Sequence, residues 1–367
     1  MYIWRCDLTK QTEMLLEQLL QETKEVLLSG KYILGKKLER FEEEFAAYTG
    51  TRYAVGVASG TEAIYLALVA AGVKHGDEVI TTPFTAIPTF SAILMTGAKA
   101  VFADINPLTY TIDPNSVADK ITSKTKALLP VHLFGQMAEM DELRQVANRH
   151  GIKLIEDAAQ SHGSLYKGSQ AGAFGEMACY SFYPTKNLGA FGDAGAIVTN
   201  QKEYYDQLKL LRNYGQEALY RTVINGINSR LDELQAAYLS IKLKHLDHWN
   251  EQRSHLAGIY YQQLNHLSVQ LPCELTYTRQ NYHVYVIRTQ KRDALQQFLE
   301  EQGIQTNIYY PIPLHLQKSN AFLGYNHGDF PEAERACEEV LALPMYPEMD
   351  PEIAIRVSKA IKQFYKY

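Results

Sequence analysis

Three short segments of this chain carry side chains that could do chemistry together. The run Tyr180-Ser181-Phe182-Tyr183-Pro184-Thr185-Lys186-Asn187-Leu188-Gly189-Ala190-Phe191-Gly192-Asp193 holds one lysine in an apolar, aromatic and glycine-rich setting, with no acid nearer than Asp193. Loss of water and of an ionic partner lowers a lysine's pKa and exposes its lone pair, which is the condition for forming an imine with an aldehyde. A surface lysine in a glycine loop is the alternative. The run Leu154-Ile155-Glu156-Asp157-Ala158-Ala159-Gln160 delivers two acids at the end of an apolar strand, where open α/β sheets bind ligands. Strand alternation sends Glu156 and Asp157 to opposite faces, so only one of them faces a given ligand. That carboxylate needs a cation if it is buried; a solvated loop acid or helix cap is the other reading. Ser59-Gly60-Thr61 opens a helix after a further apolar run, and the free N–H groups of a helix start suit an anion, although an ordinary N-cap reads the same way.

These segments need a scaffold. Apolar runs at Tyr53–Ala58, Glu78–Thr82, Ala100–Asp104, Ala127–His132, Lys153–Glu156, Ala178–Phe182 and Gly195–Thr199 alternate with amphipathic stretches such as Met140–His150. Such alternation predicts a seven-stranded, mostly parallel sheet covered by helices. A charged helical stretch from Leu8 to Tyr48, interrupted at Gly30 and Gly35, precedes it. After it, Asp232–Trp249 reads as one long helix whose polar continuation to Asn265 bridges two domains. A strand at Tyr282–Thr289, a helix at Asp293–Gln302, a Pro- and Tyr-rich loop at Tyr309–His315 and closing helices at Pro331–Leu341 and Pro351–Tyr367 complete the chain. The expected division is a large α/β domain over 1–245, including the N-terminal helical segment, and a small α+β domain over 246–367.

Composition narrows the chemistry. A total of 367 residues is more than one core of ordinary size organises. Asp+Glu 41 against Lys+Arg 36 leaves no basic field for nucleic acid or an anionic membrane. Four scattered cysteines, without CxxC or a His pair at ligand spacing, suggest neither a metal site nor a disulfide framework. The longest apolar run, Ala63–Val73, is too short to cross a bilayer, so a cytoplasmic protein is expected.

An anion cradle, a buried carboxylate and a nucleophilic lysine are together what pyridoxal 5′-phosphate (PLP) needs: a phosphate anchor, a partner for its pyridine nitrogen and an amine for its aldehyde. The ordered segments SGTEA, EDAAQSHG, SFYPTKNLGAFGDAG, NSRLDELQAA and YYPIPLHLQ, spread over essentially the whole chain, resemble the DegT/DnrJ/EryC1/StrS sugar aminotransferases. The resemblance implies the PLP-dependent transferase fold type I, the aspartate-aminotransferase-like architecture. It implies that Lys186 forms the Schiff base, Asp157 pairs with the pyridine nitrogen, Gln160 lies beside the ring, and Gly60, Thr61 and Ser181 hold the phosphate. Asn228 would reach the phosphate from the neighbouring subunit, giving a homodimer with shared active sites. One position departs from the family. Many relatives carry an aromatic residue after the Thr of Pro83-Phe84-Thr85-Ala86, where this chain has Ala86; Phe84 is then a candidate to cover the ring, with a core Phe as the alternative.

The same resemblance implies amino transfer from L-glutamate to a nucleotide-linked keto sugar. The wording around Tyr183 is similar to members that aminate C3 of dTDP-3-oxo-6-deoxyhexoses, and the galactose-type enzymes of surface glycan synthesis are the expected match. The glucose epimer, C4 amination of a dTDP-4-oxo sugar and a non-catalytic PLP- or sugar-nucleotide-binding regulator are the alternatives. Tyr183, Tyr309, Tyr310 and His315 are candidate linings of the sugar-nucleotide pocket. Arg212 is a candidate fork for a substrate carboxylate or phosphate.

Overall fold

The computed structural model describes residues 2–366. Strands β1 Tyr53–Val57, β2 Glu78–Thr81, β3 Lys99–Phe102, β4 Thr125–Leu128, β5 Lys153–Asp157, the two-residue β6 Leu165–Tyr166, β7 Met177–Ser181 and β8 Gly195–Thr199 follow one another in the first part of the chain. All but β6 join a seven-stranded sheet in the order β1-β8-β7-β5-β4-β2-β3, parallel except where β8 runs antiparallel to β1 and β7. The seven apolar runs read as strands between Tyr53 and Thr199 all enter this sheet.

Their lack of a polar face has a plain cause, since both faces are covered. Val55, Val57, Ile155, Cys179 and Ile197 pack into one core, and their neighbours Ala54, Leu154, Ala178, Tyr180 and Val198 into the other. Helices α1 Thr9–Ser29, α2 Lys36–Thr49, α3 Gly60–Ala70, α4 Ile87–Met95, the short α5 Pro114–Ala118, α6 Met140–His150 and α7 Lys202–Leu211 supply the cover.

Beyond β8, a small hairpin pairs β9 Gln216–Ala218 with β10 Arg221–Thr222, and β11 Thr278–Arg279 pairs with β6. The single long helix expected from Asp232 is instead two, α8 Glu233–Leu243 and α9 Leu246–Leu264. The break at Lys244–His245 lets α8 stay against α1 and α2 while α9 turns to pack on the closing helix over Pro351–Phe364. A third core gathers Leu256, Tyr260 and Leu264 with Ile287 of β12 Tyr285–Arg288, Leu299 of α10 Arg292–Glu301, and Val357 and Ile361 of α12 Pro351–Phe364. Helix α11 Pro331–Glu339 stops short of the expected Leu341, because Val340–Leu343 forms β13, antiparallel to β12. Pro344 disfavours helix at the residue before it, and the buried apolar run fits a strand. Near the other end of the chain, Ile3 forms a parallel bridge to Ile304 and sits in this third core.

Candidate active site

The carboxyl ends of β5 and β7 meet the start of α3. Ser59 caps that helix, its side chain accepting from the N–H of Glu62 at 3.2 Å. A Cβ on Gly60 would lie 2.6 Å from Cβ of Ser181, so only glycine lets the helix start touch the end of β7. Gly195 is under the same constraint, since a Cβ there would lie 2.5 Å from the carbonyl carbon of Ser59. Three segments far apart in sequence are thereby drawn around one cavity of about 300 Å³, lined by Gly60, Thr61, Thr89, Asp157, Gln160, Ser181 and Lys186 among others. A second lobe of about 260 Å³ shares Gln160, Tyr183 and Lys186 and adds Arg5, His283, Tyr309 and Tyr310.

Asp157 and Lys186 dominate the electrostatics. Asp157 is buried, and burial pushes its carboxyl above the usual range against hydrogen bonds from Thr89 and the Ala159 N–H and the charges of Lys186 and His132. Its Oδ2 accepts from the Thr89 hydroxyl at 2.8 Å and its Oδ1 from the Ala159 N–H at 3.1 Å. Burial draws the Lys186 amine down to about 8, opposed only by the charge of Asp157. Glu156, on the opposite face, serves the fold. Its carboxylate accepts from the N–H groups of Gly172 and Gly175 at 2.9 and 3.1 Å and meets Nε2 of His132 at 3.1 Å. Gln160 is fixed at both ends, accepting from the Phe134 N–H at 2.8 Å and donating to the Tyr310 hydroxyl at 3.2 Å.

Lys186 rides on a loop held from several sides. Its own N–H donates to the Tyr183 carbonyl at 2.8 Å. Asn187 donates to Asn250 Oδ1 at 2.8 Å and to the Asn281 carbonyl at 3.0 Å, and its Oδ1 meets Nδ1 of His283 at 3.1 Å. From α8, Lys242 Nζ donates to the Gly189 carbonyl at 2.8 Å and Gln235 accepts from the Phe191 N–H at 2.8 Å.

Of the residues singled out in the sequence, Lys186, Asp157, Gln160, Gly60, Thr61, Ser181 and Tyr183 line the first lobe, and Tyr309 and Tyr310 the second. Four lie elsewhere. Arg212 is buried, its Nη1 pairs with Glu42 and donates to the Gly56 carbonyl at 2.9 Å, and it lines neither lobe. His315 is buried against Phe330 and its Nε2 meets Glu334 Oε1 at 2.9 Å, so it stiffens the loop from behind. Phe84 is a fully buried core residue, edge-on to Phe134 with centroids 6.0 Å apart, while Thr85, Ala86 and Pro88 line the cavity in its place. Asn228 is exposed, bridged to Asn213, and lines neither lobe of its own chain. Sequence reasoning missed Thr89, Arg5 and His283. Thr85 and Thr89, spaced four apart with hydroxyls 3.1 Å from each other, were the legible trace of a polar helix face.

The residues present fit a phosphorylated pyridoxal. A cradle that a Cβ would fill, a buried carboxylate with no salt bridge among the described residues and an enclosed amine of lowered pKa face one cavity.

The sheet order and the site at the strand ends define a fold type I aminotransferase. The chain belongs to the DegT/DnrJ/EryC1/StrS aminotransferase family, which it matches over residues 14–362. It is 46% identical over 340 residues to the dTDP-3-amino-3,4,6-trideoxy-alpha-D-glucose transaminase of Streptomyces venezuelae, covering 92% of this chain and 90% of that one. The dTDP-3-amino-3,6-dideoxy-alpha-D-galactopyranose transaminase of Aneurinibacillus thermoaerophilus is 42% identical, with 95% of both chains covered. A protein of Geobacillus stearothermophilus described as a pleiotropic regulatory protein is 47% identical, with 98% of both chains covered. Among solved structures, S. venezuelae DesV in complex with a ketimine intermediate superposes with a TM-score of 0.98 at 44% identity, covering 100% of this chain and 99% of that one. Among the described residues no helix is long and apolar enough to cross a membrane.

Proposed function

We propose that this protein is a PLP-dependent transaminase that moves an amino group from L-glutamate to C3 of a dTDP-linked 3-oxo-6-deoxyhexose. The observation that carries the reading is the pairing of an enclosed Lys186 amine with a buried Asp157 carboxylate in a cavity walled by Gly60 and Ser181. The names of the two transaminase relatives support C3 amination of a dTDP sugar. The galactose-configured product is the first to assay and the glucose-configured one the second.

PLP supplies an electron sink for a carbanion at the donor's α-carbon. The chain's own groups do the rest. Ser181, Thr61 and the free N–H groups at the start of α3 hold the phosphate, with Gly60 allowing close approach. Asp157 holds a proton at the pyridine nitrogen, and Thr89 and the Ala159 N–H fix which oxygen points there. Lys186 Nζ, lowered to about 8, is in part neutral near pH 7 to 8 and so able to take the proton from the donor's α-carbon. Gln160 and Tyr310 stand where the two lobes meet and orient the reacting end of the sugar.

The protein would act in the cytoplasm as a homodimer, with Asn228 reaching the phosphate of the second subunit. Its exposed position supports that reading, as do the bare hairpin-tip residues Leu219 and Tyr220, 79% and 89% exposed. The division into a large domain over 1–245 and a smaller one over 246–367 is proposed with one adjustment, that residues 2–7 travel with the smaller unit through Ile3.

The test is to incubate purified protein, PLP and L-glutamate with dTDP-3-oxo and dTDP-4-oxo sugars and follow the amino product by mass. Amination of the 3-oxo sugar is expected; amination of the 4-oxo compound alone overturns the regiochemistry. Tight binding of PLP and sugar nucleotide without turnover would favour a regulator.

A further inference from the structure

With Arg212 committed to Glu42, a different arginine faces the reacting lysine. Arg5 lines the second lobe together with Lys186, Gln160, Tyr183 and His283. Its backbone is fixed on both sides. The Arg5 N–H donates to Gln305 Oε1 at 3.0 Å, the Arg5 carbonyl accepts from the Met345 N–H at 3.1 Å, and the neighbouring Ile3 exchanges bonds with Gly303 and Gln305 at 2.8 and 2.9 Å. The guanidinium, by contrast, makes no ion pair and no hydrogen bond among the described residues; it lies over the Tyr309 ring, 5.5 Å from the centroid. An arginine with an anchored backbone and an unused fork is built to receive something planar and anionic.

The lobe itself selects for negative charge. No Asp or Glu lines it among the described residues. Arg253, buried behind it, donates to the carbonyls of Tyr282, His283 and Met345 at 3.2, 3.2 and 3.3 Å and has no carboxylate partner among the described residues. His283 is kept neutral, first by burial and then by the charges of Lys186 and Arg253. Arg5 and Lys186 thus line, and Arg253 backs, a space of about 260 Å³ whose own lining carries no carboxylate among the described residues.

We propose that Arg5 is the carboxylate-binding residue for the amino donor, gripping the dicarboxylate L-glutamate so that its amine and α-carbon lie at Lys186. This rests on the transaminase reading above and adds the residue that would make the enzyme choose an acidic donor. The diphosphate of the sugar nucleotide offers a related anion at the same fork, and the test separates the two.

The full-length protein is compared with Arg5→Gln and Arg5→Lys. The variants lose no backbone bond at this position, so they are expected to fold. Calorimetry with glutarate, a dicarboxylate that cannot react, gives a readout independent of turnover. Steady-state kinetics then give KM for L-glutamate and for the keto sugar separately. Arg5→Gln is expected to weaken glutarate binding and raise the glutamate KM by about 10- to 100-fold with kcat little changed, Arg5→Lys to recover part of the loss, and the sugar KM to stay put. Unchanged glutarate affinity, no glutarate binding by the unaltered protein, or a loss confined to the sugar KM each overturns the assignment, the last in favour of the diphosphate. Arg5-dependent glutarate binding in a protein that aminates no keto sugar would sink the proposed substrate and leave Arg5 standing.

Discussion

The hydroxyl of Thr89, on the first turn of α4, donates to Oδ2 of Asp157, at the tip of β5, over 2.8 Å. A helix and a strand separated by 68 positions in sequence are thus joined at a buried carboxylate that lines the cavity. Together with the Ala159 N–H on Oδ1, the bond fixes the orientation of the carboxyl, which is the group that would hold the pyridine nitrogen of a bound PLP.

Asp157→Asn removes the charge and keeps the shape. The expected result is retained binding of PLP and a loss of about 100-fold or more in kcat. Thr89→Val leaves the charge but frees its orientation, so its loss should be smaller, within about tenfold. Stopped-flow absorbance of the glutamate half-reaction measures both, and equal losses in the two variants would contradict the orienting role.

Lys186→Met is expected to abolish turnover and covalent attachment of PLP, read from the cofactor's absorbance. It should also make the cofactor-free protein more stable. The folded amine near 8 lies below its unfolded value of 10.5, so burying it in charged form costs stability below pH 8, and that cost disappears as pH rises from 8 towards 10.5. Full burial would put the cost at ~3 kcal/mol; contact with the open cavity reduces it to about 2 kcal/mol at pH 7. Urea titrations of both proteins at pH 7 and pH 10 should show the gap shrinking with pH.

The same low value makes imine formation steeply pH-dependent. Borohydride trapping of PLP on the unaltered protein should quicken between pH 7 and 9 with a midpoint near 8, following the neutral amine. A midpoint close to 10.5 would show a solvated lysine.

Gly60→Ala puts a methyl group against Ser181 at 2.6 Å. The helix start must move from the strand end, at ~1–3 kcal/mol, and fluorescence titration should show PLP affinity falling by roughly tenfold or more. Gly258→Ala is the control, since a Cβ there meets nothing within 4 Å and lies inside helix α9. It should leave affinity unchanged and add up to about 1 kcal/mol of stability.

Arg212→Met tests the reassigned arginine. Stranding the buried Glu42 should cost ~3–5 kcal/mol of stability with both substrate KM values unchanged. Adding Glu42→Gln, which keeps an acceptor for the Gly56 N–H now 2.7 Å away, should restore a large part of it. A raised KM in a folded Arg212→Met protein would return this residue to the substrate.

What was legible follows from what each segment demands by itself. Strands buried on both faces betray themselves as apolar runs, which is why β1 to β5, β7 and β8 could be read directly. Lys186 and Asp157 were legible because a lysine among glycines and aromatics, and an acid at a strand tip, conflict with their local surroundings. The break after α8 carries no Gly or Pro, being set by which helices lie against each half. Arg212 and His315 were misread because their partners, Glu42 and Glu334, are fixed by tertiary packing; 170 residues separate Arg212 from Glu42. Arg5 was invisible for the same reason, since nothing near it in sequence tells that it will face Tyr309.

The tether between Ile3 and Ile304 has an outcome for synthesis. A ribosome delivers the segment around residue 5 hundreds of codons before the partners that seat it at Gln305 and Met345. The lobe that Arg5 lines is therefore completed only after the chain through Met345 has been made, well after the strands that carry Asp157 and Ser181.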